Sequence, residues 1–365
     1  MSEWKEYKLG EIVKLIGGGT PNTTNSNYWG GDIPWLSVSD FNKGRKYVYD
    51  AEKHITQEGL NNSSTKILHK EDIIISARGT VGVVAMIGRE MAFNQSCYGV
   101  RGKELIDQQY LYYLLIHSVQ GLKQNAYGGV FDTITRETFD LIDISLPPID
   151  EQKRIAGVLS SLDDKIDLLN RENATLEALA ETLFRHYFIE NPDPTWKEGK
   201  LGELIEVKYG KDHKKLGDGS IPVIGSGGIM RYADNALFDG ESVLIPRKGS
   251  LDNVMYIDEP FWTVDTMFYT KMKIPHVAKF VYQFMKTLDL VNMNVGSAVP
   301  SMTAEVLNNI PLEIPSQTAL DDYERVVAPF YKKTKSNQQQ MQTLAIQQDT
   351  LLPRLMSGEV EVTWQ

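Results

Sequence analysis

The chain is poor in the residues that build chemistry. Cys97 is the only cysteine among 365 residues, which excludes an internal disulfide and any zinc site made of paired cysteines; a lone thiol of this kind is expected to be buried and inert. Six histidines, at 54, 69, 117, 186, 213 and 276, are scattered without metal-ligand spacing. No G-x-x-x-x-G-K-[ST] stretch is present to cradle nucleotide phosphates. Gly17–Gly19 lacks the strand, turn and helix spacing of a dinucleotide site and reads as a flexible turn. The N-P-P-Y or D-P-P-Y tetrapeptide of adenine methyltransferases is missing too. No apolar run approaches the roughly 18 residues of a membrane span, and the first residues form no signal peptide, so a cytoplasmic location away from membranes is expected. Basic excess is also lacking: 38 Lys and Arg face 48 Asp and Glu, a net charge of −10. That total counts against nucleic acid as a partner. Salt screens exposed charges beyond about 10 Å, however, so the charge lining a groove matters more than the sum.

What is present is a repeat. "WKEYKLGEI" at Trp4 returns as "WKEGKLGEL" at Trp196. The copy continues, with "GDIPWLSVSD" (Gly31–Asp40) matching "GSIPVIGSGG" from Gly219, and "TRETFDLIDISLPP" from Thr135 matching "TAEVLNNIPLEIPS" from Thr303. The offset falls from 192 residues (Trp4 to Trp196) to 168 (Leu176 to Leu344), so the second copy is the same fold with shorter loops, trimmed mainly against positions 42–70 of the first. "DIIIS" and "ESVLI" are β-branched runs followed by glycine-bearing turns, the pattern of hairpins. "QQYLYYLLIHSV" and "AKFVYQFMKTL" are short amphipathic helices. Each copy is therefore a mixed α+β domain, and a long helix follows it.

The first long helix, capped by Asp150, carries Ile155, Leu162, Leu169, Leu176 and Leu183 at seven-residue spacing, with Leu159, Ile166, Asn173 and Ala180 four residues on. That is a coiled-coil seam holding one polar residue. The second, capped near Thr318, carries Tyr323, Phe330, Asn337, Leu344 and Leu351 in the same row and is expected to break at Pro353. Forty residues make a rod of about 60 Å. The two seams are expected to pair antiparallel within the chain. The domains predicted are residues 1–149 and 195–316, with helical spacers at 150–194 and 317–365.

This order of domain, helix, domain, helix resembles the specificity (S) subunit of type I restriction-modification systems. The stretches that carry the resemblance are "GGGTPNTTNSNYWGGDIPWLSVSD" (Gly17–Asp40), "SARGTVG" (Ser76–Gly82) and "LPPIDEQKRIAGVLSSLDDKI" (Leu146–Ile166), spread through a chain that it covers almost entirely. The second copy departs from the pattern, with "IPSQTALDDYERVV" in place of "LPPIDEQKRIAGVL". The resemblance implies two target recognition domains, each reading one half of a split double-stranded DNA sequence, and antiparallel helices that set the spacing. It also implies docking of two modification (methyltransferase) subunits, and of restriction subunits in the full complex. S-adenosylmethionine, ATP and Mg would belong to those partners, leaving this chain without catalysis or cofactor. The competing readings are a stand-alone nuclease or methyltransferase, which requires an active site that the sequence does not show, and a coiled-coil adaptor whose end domains bind protein or carbohydrate.

DNA binding needs cations for phosphates and polar side chains for base edges. Candidates are Lys43, Arg45 and Lys46 in "KGRK", Lys208, Lys211, Lys214 and Lys215 in "KYGKDHKK", Arg78 and Thr80 in "RGT", and Arg247, Lys248 and Ser250 in "RKGS". The loop "PNTTNSNYW" offers amides and aromatics besides. Residues 151–194 and 318–365 hold half of the acidic excess in a quarter of the chain, so those helices are expected to meet protein rather than DNA.

Overall fold

The computed structural model describes residues 4–125, 133–293 and 301–362. The chain forms two compact units, residues 1–171 with 337–365, and residues 172–336.

The first unit runs through β1 (Lys5–Lys8), α1 (Leu9–Ile12), β2 (Val13–Gly17), β3 (Trp29–Leu36), α2 (Val38–Phe41), β4 (Tyr47–Val48), β5 (Lys53–Ile55) and α3 (Gln57–Asn61). It continues with β6 (Ile67–Leu68), β7 (Ile73–Ser76), β8 (Val84–Ile87), β9 (Met91–Phe93), β10 (Cys97–Gly102), α4 (Gln108–Asn125), α5 (Arg136–Leu141) and β11 (Asp143–Leu146), and then enters the long helix α6 (Ile149–Arg185). Among the described residues the strands form a ribbon β1-β11 and the sheets β2-β10-β7-β8-β4 and β5-β3-β9-β6. The run Ile73, Ile74, Ile75 shows no alternation because both faces of β7 are covered. Ile73 and Ile75 pack with Tyr110 and Tyr113 of α4 and Ile155 of α6. Ile74 joins Leu36, Phe93 and Cys97 in a second core.

The second unit repeats this plan with β12 (Lys197–Lys200), α7 (Leu201–Leu204), β13 (Ile205–Tyr209), β14 (Ile221–Gly225), β15 (Gly228–Ala233), β16 (Ser242–Pro246), β17 (Met255–Ile257) and β18 (Trp262–Thr263). β19 (Met267–Met272), α8 (Ala278–Thr287), α9 (Ala304–Asn308), β20 (Pro311–Ile314) and the long helix α10 (Gln317–Met356) complete it. Among the described residues the sheets are β12-β20, β13-β19-β16-β17 and β15-β14-β18. β3 pairs parallel with β9, as β14 does with β18. Strands β4 and β6 have no counterpart, and β15 pairs with β14 as β5 does with β3, through a tight turn where the first unit has α2 and β4.

Each unit contains part of both long helices. In the first, Ile155, Ala156 and Leu159 of α6 share a core with Leu352, Leu355 and Met356 of α10. In the second, Phe184 of α6 packs with Leu320, Tyr323 and Val327 of α10, and the Tyr323 hydroxyl donates to the Ala180 carbonyl (3.2 Å). The start of one helix thus meets the end of the other, which makes them antiparallel.

Several local expectations change. α6 starts at Ile149, and the Pro148 carbonyl accepts from the Glu151 and Gln152 amides, so Asp150 lies in the first turn and is not the cap. Ser316, not Thr318, caps α10 by accepting from the Ala319 amide (3.3 Å). Pro353 does not break α10, which runs on to Met356. Ile155, Leu169 and Tyr323 are buried, whereas Leu162, Leu176, Leu183, Phe330, Leu344 and Leu351 are half-buried. Phe184 and Leu352 turn inward beside Leu183 and Leu351, because a straight helix drifts about 20° per heptad from a strict seven-residue row. Gly18 and Gly19 are tightly packed, not a flexible turn: a Cβ at Gly18 would lie 2.1 Å from the Asn94 carbonyl oxygen, and one at Gly19 2.4 Å from the Thr65 amide nitrogen.

Candidate nucleic-acid interface

The turns after β7 and β16 are built alike. The Ala77 amide donates to the Ser96 carbonyl (2.8 Å), and the Arg247 amide donates to the Thr266 carbonyl (2.8 Å). The Ile134 amide donates to the Ala77 carbonyl and the Met302 amide to the Arg247 carbonyl, both at 2.9 Å. Arg78 then bridges to Thr133 as Lys248 bridges to Ser301. Arg78-Gly79-Thr80 and Lys248-Gly249-Ser250 are therefore equivalent positions, and all six residues are exposed. Gly79 and Gly249 take φ of 75° and 85°, a conformation that a Cβ disfavours. In the first unit the turn is tightened from below, where buried Ser76 Oγ donates to the Thr80 carbonyl (2.5 Å) and accepts from the Val83 amide (2.8 Å). Each turn presents a cation, an open backbone and a hydroxyl, the groups that bind a phosphate oxygen.

Around the second turn, Arg247 lies over the Tyr209 ring (5.3 Å) and donates from Nη1 to the Asp265 carbonyl (3.2 Å). This stacked pair, with Tyr209 exposed, was not singled out from sequence, where a lone tyrosine at a strand end gives no signal. Lys211, Lys214 and Lys215 are exposed on a loop that is held in place. Trp262 Nε1 donates to the Lys211 carbonyl (2.9 Å), and Arg231 donates to the carbonyls of His213 (3.2 Å) and Leu216 (2.7 Å). Lys208 is paired with Glu206 at 2.7 Å, so part of its charge is already neutralised.

The "KGRK" cluster divides. Lys43 and Arg45 are exposed, but Lys46 is 7% exposed, and its Nζ donates to Tyr113 Oη (3.1 Å) and Ser160 Oγ (2.8 Å) among the rings of Tyr47, Tyr112 and Tyr113. Burial pushes its ammonium below the ordinary lysine value, opposed by the charges of Asp163 and Asp164. A buried ammonium cannot neutralise a phosphate, and Lys46 is corrected to a packing residue. The alternating Tyr47-Val48-Tyr49 that follows is the sequence signal of the strand it opens. In the loop at 21–29 the polar side chains cap their own turns: Asn22 Oδ1 accepts from the Thr24 amide (3.0 Å) and Asn25 Oδ1 from the Asn27 amide (3.1 Å). Trp29 packs edge-on against Trp35.

Gln152, within the "LPPIDEQKRIAGVL" stretch, is buried as well. It accepts from the Asp107 amide (2.8 Å) and donates to the carbonyls of Pro147 (2.8 Å) and Leu105 (3.1 Å), fastening a loop to the helix start. Among the described residues no group of three or more His, Cys, Asp or Glu is placed to hold a metal ion, and no helix is long and apolar enough to cross a membrane.

Two copies of one α+β unit, each offering the same cationic turn and each packed on a pair of antiparallel helices, define a duplicated binding scaffold. The family described as type I restriction modification DNA specificity domain matches residues 1–178 and again 194–344, and the chain belongs to that family. It is 26% identical to the type I restriction enzyme MjaIX specificity subunit of Methanocaldococcus jannaschii, over 99% of this chain and 94% of that one. It is 34% identical to the EcoR124I/EcoR124II specificity subunit of Escherichia coli, over 44% of this chain and 41% of that one. Its fold is similar to the crystal structure of a type I restriction-modification S subunit from M. genitalium (TM-score 0.59, 17% identity, covering 100% of this chain and 97% of that one). The family is that of the specificity subunit, which is non-catalytic, binds DNA and assembles with other subunits. A coiled-coil adaptor for protein or carbohydrate is not supported by these matches.

Proposed function

We propose that this chain selects a split DNA sequence for a type I restriction-modification complex. Residues 1–149 and 195–316 each read one half of the double-stranded target. Residues 150–194 and 317–365 set the distance between the halves, dock two modification subunits and, in the full complex, receive the restriction subunits. S-adenosylmethionine, ATP and Mg act on those partners, in the cytoplasm. The equivalent turns at Arg78-Gly79-Thr80 and Lys248-Gly249-Ser250 carry this reading, because duplicated phosphate-binding turns suit a duplicated ligand such as two half-sites on one duplex. Lys43, Arg45, Lys208, Lys211, Lys214, Lys215 and Arg247 add further phosphate contacts around them.

The test is a genome-wide map of methylated adenine in cells with and without this gene. Loss of one split motif with a fixed spacer is the expected result. An unchanged map in cells whose modification subunits are active overturns the reading.

A further inference from the structure

The β14–β15 hairpin leaves three neighbouring apolar side chains in water: Ile229 at 55% exposure, Met230 at 58% and Tyr232 at 44%. Single exposed apolar residues are ordinary, but a cluster on an edge strand marks a contact surface. β15 is the edge of its sheet.

Both ends of this hairpin are tied to cationic segments. At its turn, Asn253 Nδ2 donates to the Ser226 carbonyl (2.8 Å), and a Cβ on Gly249 would lie 3.0 Å from Ser226 Oγ, so the turn abuts Lys248-Gly249-Ser250. Along its strand, Arg231 holds the carbonyls of His213 and Leu216 and pairs with Asp218 (3.5 Å), which sets the strand beside the Lys211–Lys215 loop. The apolar cluster is thus flanked by the exposed ammonium groups of Lys211, Lys214 and Lys215 on one side and of Lys248 on the other. In the first unit the matching edge strand is β5, antiparallel to β3, which offers Lys53 and His54 with Ile55 buried and so presents no such apolar cluster.

We infer that this hairpin is a base-reading element of the second unit, in which Ile229 and Met230 contact thymine methyl groups in the major groove. The inference rests on the DNA-reading proposal above. Cations on both flanks match the two phosphate strands that border a groove, and the C5-methyl of thymine is the apolar group that a groove floor presents between them. An apolar contact supplies sequence information without phosphate neutralisation, so it governs base preference while leaving the salt dependence alone.

The experiment uses the chain assembled with its modification subunits and the duplex identified by methylation mapping, with thymines replaced one at a time by uracil and binding followed by fluorescence anisotropy. Uracil at one or more positions of a single half-site weakens wild-type binding by about fourfold for each methyl lost. The double variant Ile229→Ser, Met230→Ser binds the thymine duplex as weakly as wild type binds the uracil duplex, no longer separates the two, and keeps the wild-type salt slope. Lys248→Ala does the opposite, retaining the thymine preference while the slope of log K against log salt shrinks by about 1. Indifference to uracil everywhere, or a double variant that still separates thymine from uracil, overturns the inference while the DNA-reading proposal stands. Loss of the modification subunits by the double variant, with DNA binding retained, makes the hairpin a protein contact and overturns it too. A wild-type complex without salt-sensitive DNA binding refutes the underlying proposal instead.

Discussion

Lys279 is 4% exposed, with Nζ 2.7 Å from both Glu241 and Glu324 and the rings of Tyr256 and Tyr331 at 5.3 and 5.6 Å. Burial raises the Glu241 carboxyl, but the hydrogen bonds from Lys279 and Tyr256 outweigh it and hold the group below the ordinary glutamate value. A carboxyl depressed in the folded state contributes stability above its unfolded value and loses it as pH falls through the folded one. Lys279→Met strands the two carboxylates, and a loss of about 3 kcal/mol is expected, the low end for a broken buried pair because Glu241 is partly exposed. Urea titrations at pH 7 and pH 4 check this: wild type weakens on acidification, and the variant, already weak at pH 7, changes less. Cys97, closed in a core, has its thiol pushed up to about 12 by burial. A thiol-labelling reagent at pH 8 is expected to leave the native protein untouched and to modify it fully in urea. The burial of Cys97 was expected from the sequence, but the Lys279 pair was not, because the sequence shows a lysine without showing which face turns inward. Lys46 makes the same point, sharing a four-residue cluster with two exposed cations.

At the level of elements, the positive φ of Gly79 is the part of the first turn open to test. No atom lies within 4 Å of a Cβ built there, so Gly79→Ala adds backbone strain and no clash. A stability loss of about 1 kcal/mol in urea is expected, with Gly79→Asn recovering part of it because asparagine tolerates this region better. Ser76→Ala removes the hydroxyl that joins the Thr80 carbonyl to the Val83 amide, and weaker DNA binding from a loosened turn is expected by anisotropy. The hairpins β7–β8 and β16–β17 and the helices α4 and α8 were legible because their signals are local, whereas the packing of Gly18 and Gly19 against distant residues was not. Nor were the caps. Asp150 and Thr318 each lie two residues past the observed cap: the Pro148 carbonyl accepts from the Glu151 and Gln152 amides of α6, and Ser316, itself a preferred capping residue, takes the Ala319 amide. Pro353 could remain inside α10 because the packing of Leu352, Leu355 and Met356 outweighs the hydrogen bond a proline cannot donate.

For the whole molecule, the proposed ruler has a direct consequence. Seven residues inserted into both long helices at matching levels, after Arg171 in α6 and before Asn337 in α10, lengthen each by about 10 Å. The mapped target is then expected to keep both half-sites while its spacer grows by about three base pairs; an unchanged spacer refutes the ruler. The sequence by itself determined the duplication, the mixed α+β class of each copy, the two long helices and the place where the second copy is trimmed. These are properties of order, period and length, which a chain carries whether folded or not. Tertiary structure alone decided that Arg78 and Lys248 occupy one equivalent position, that Lys46 and Gln152 serve the interior, and that Ile229 and Met230 stay in water between two cationic segments. Those facts depend on which distant residues come to lie side by side, and only folding brings them together.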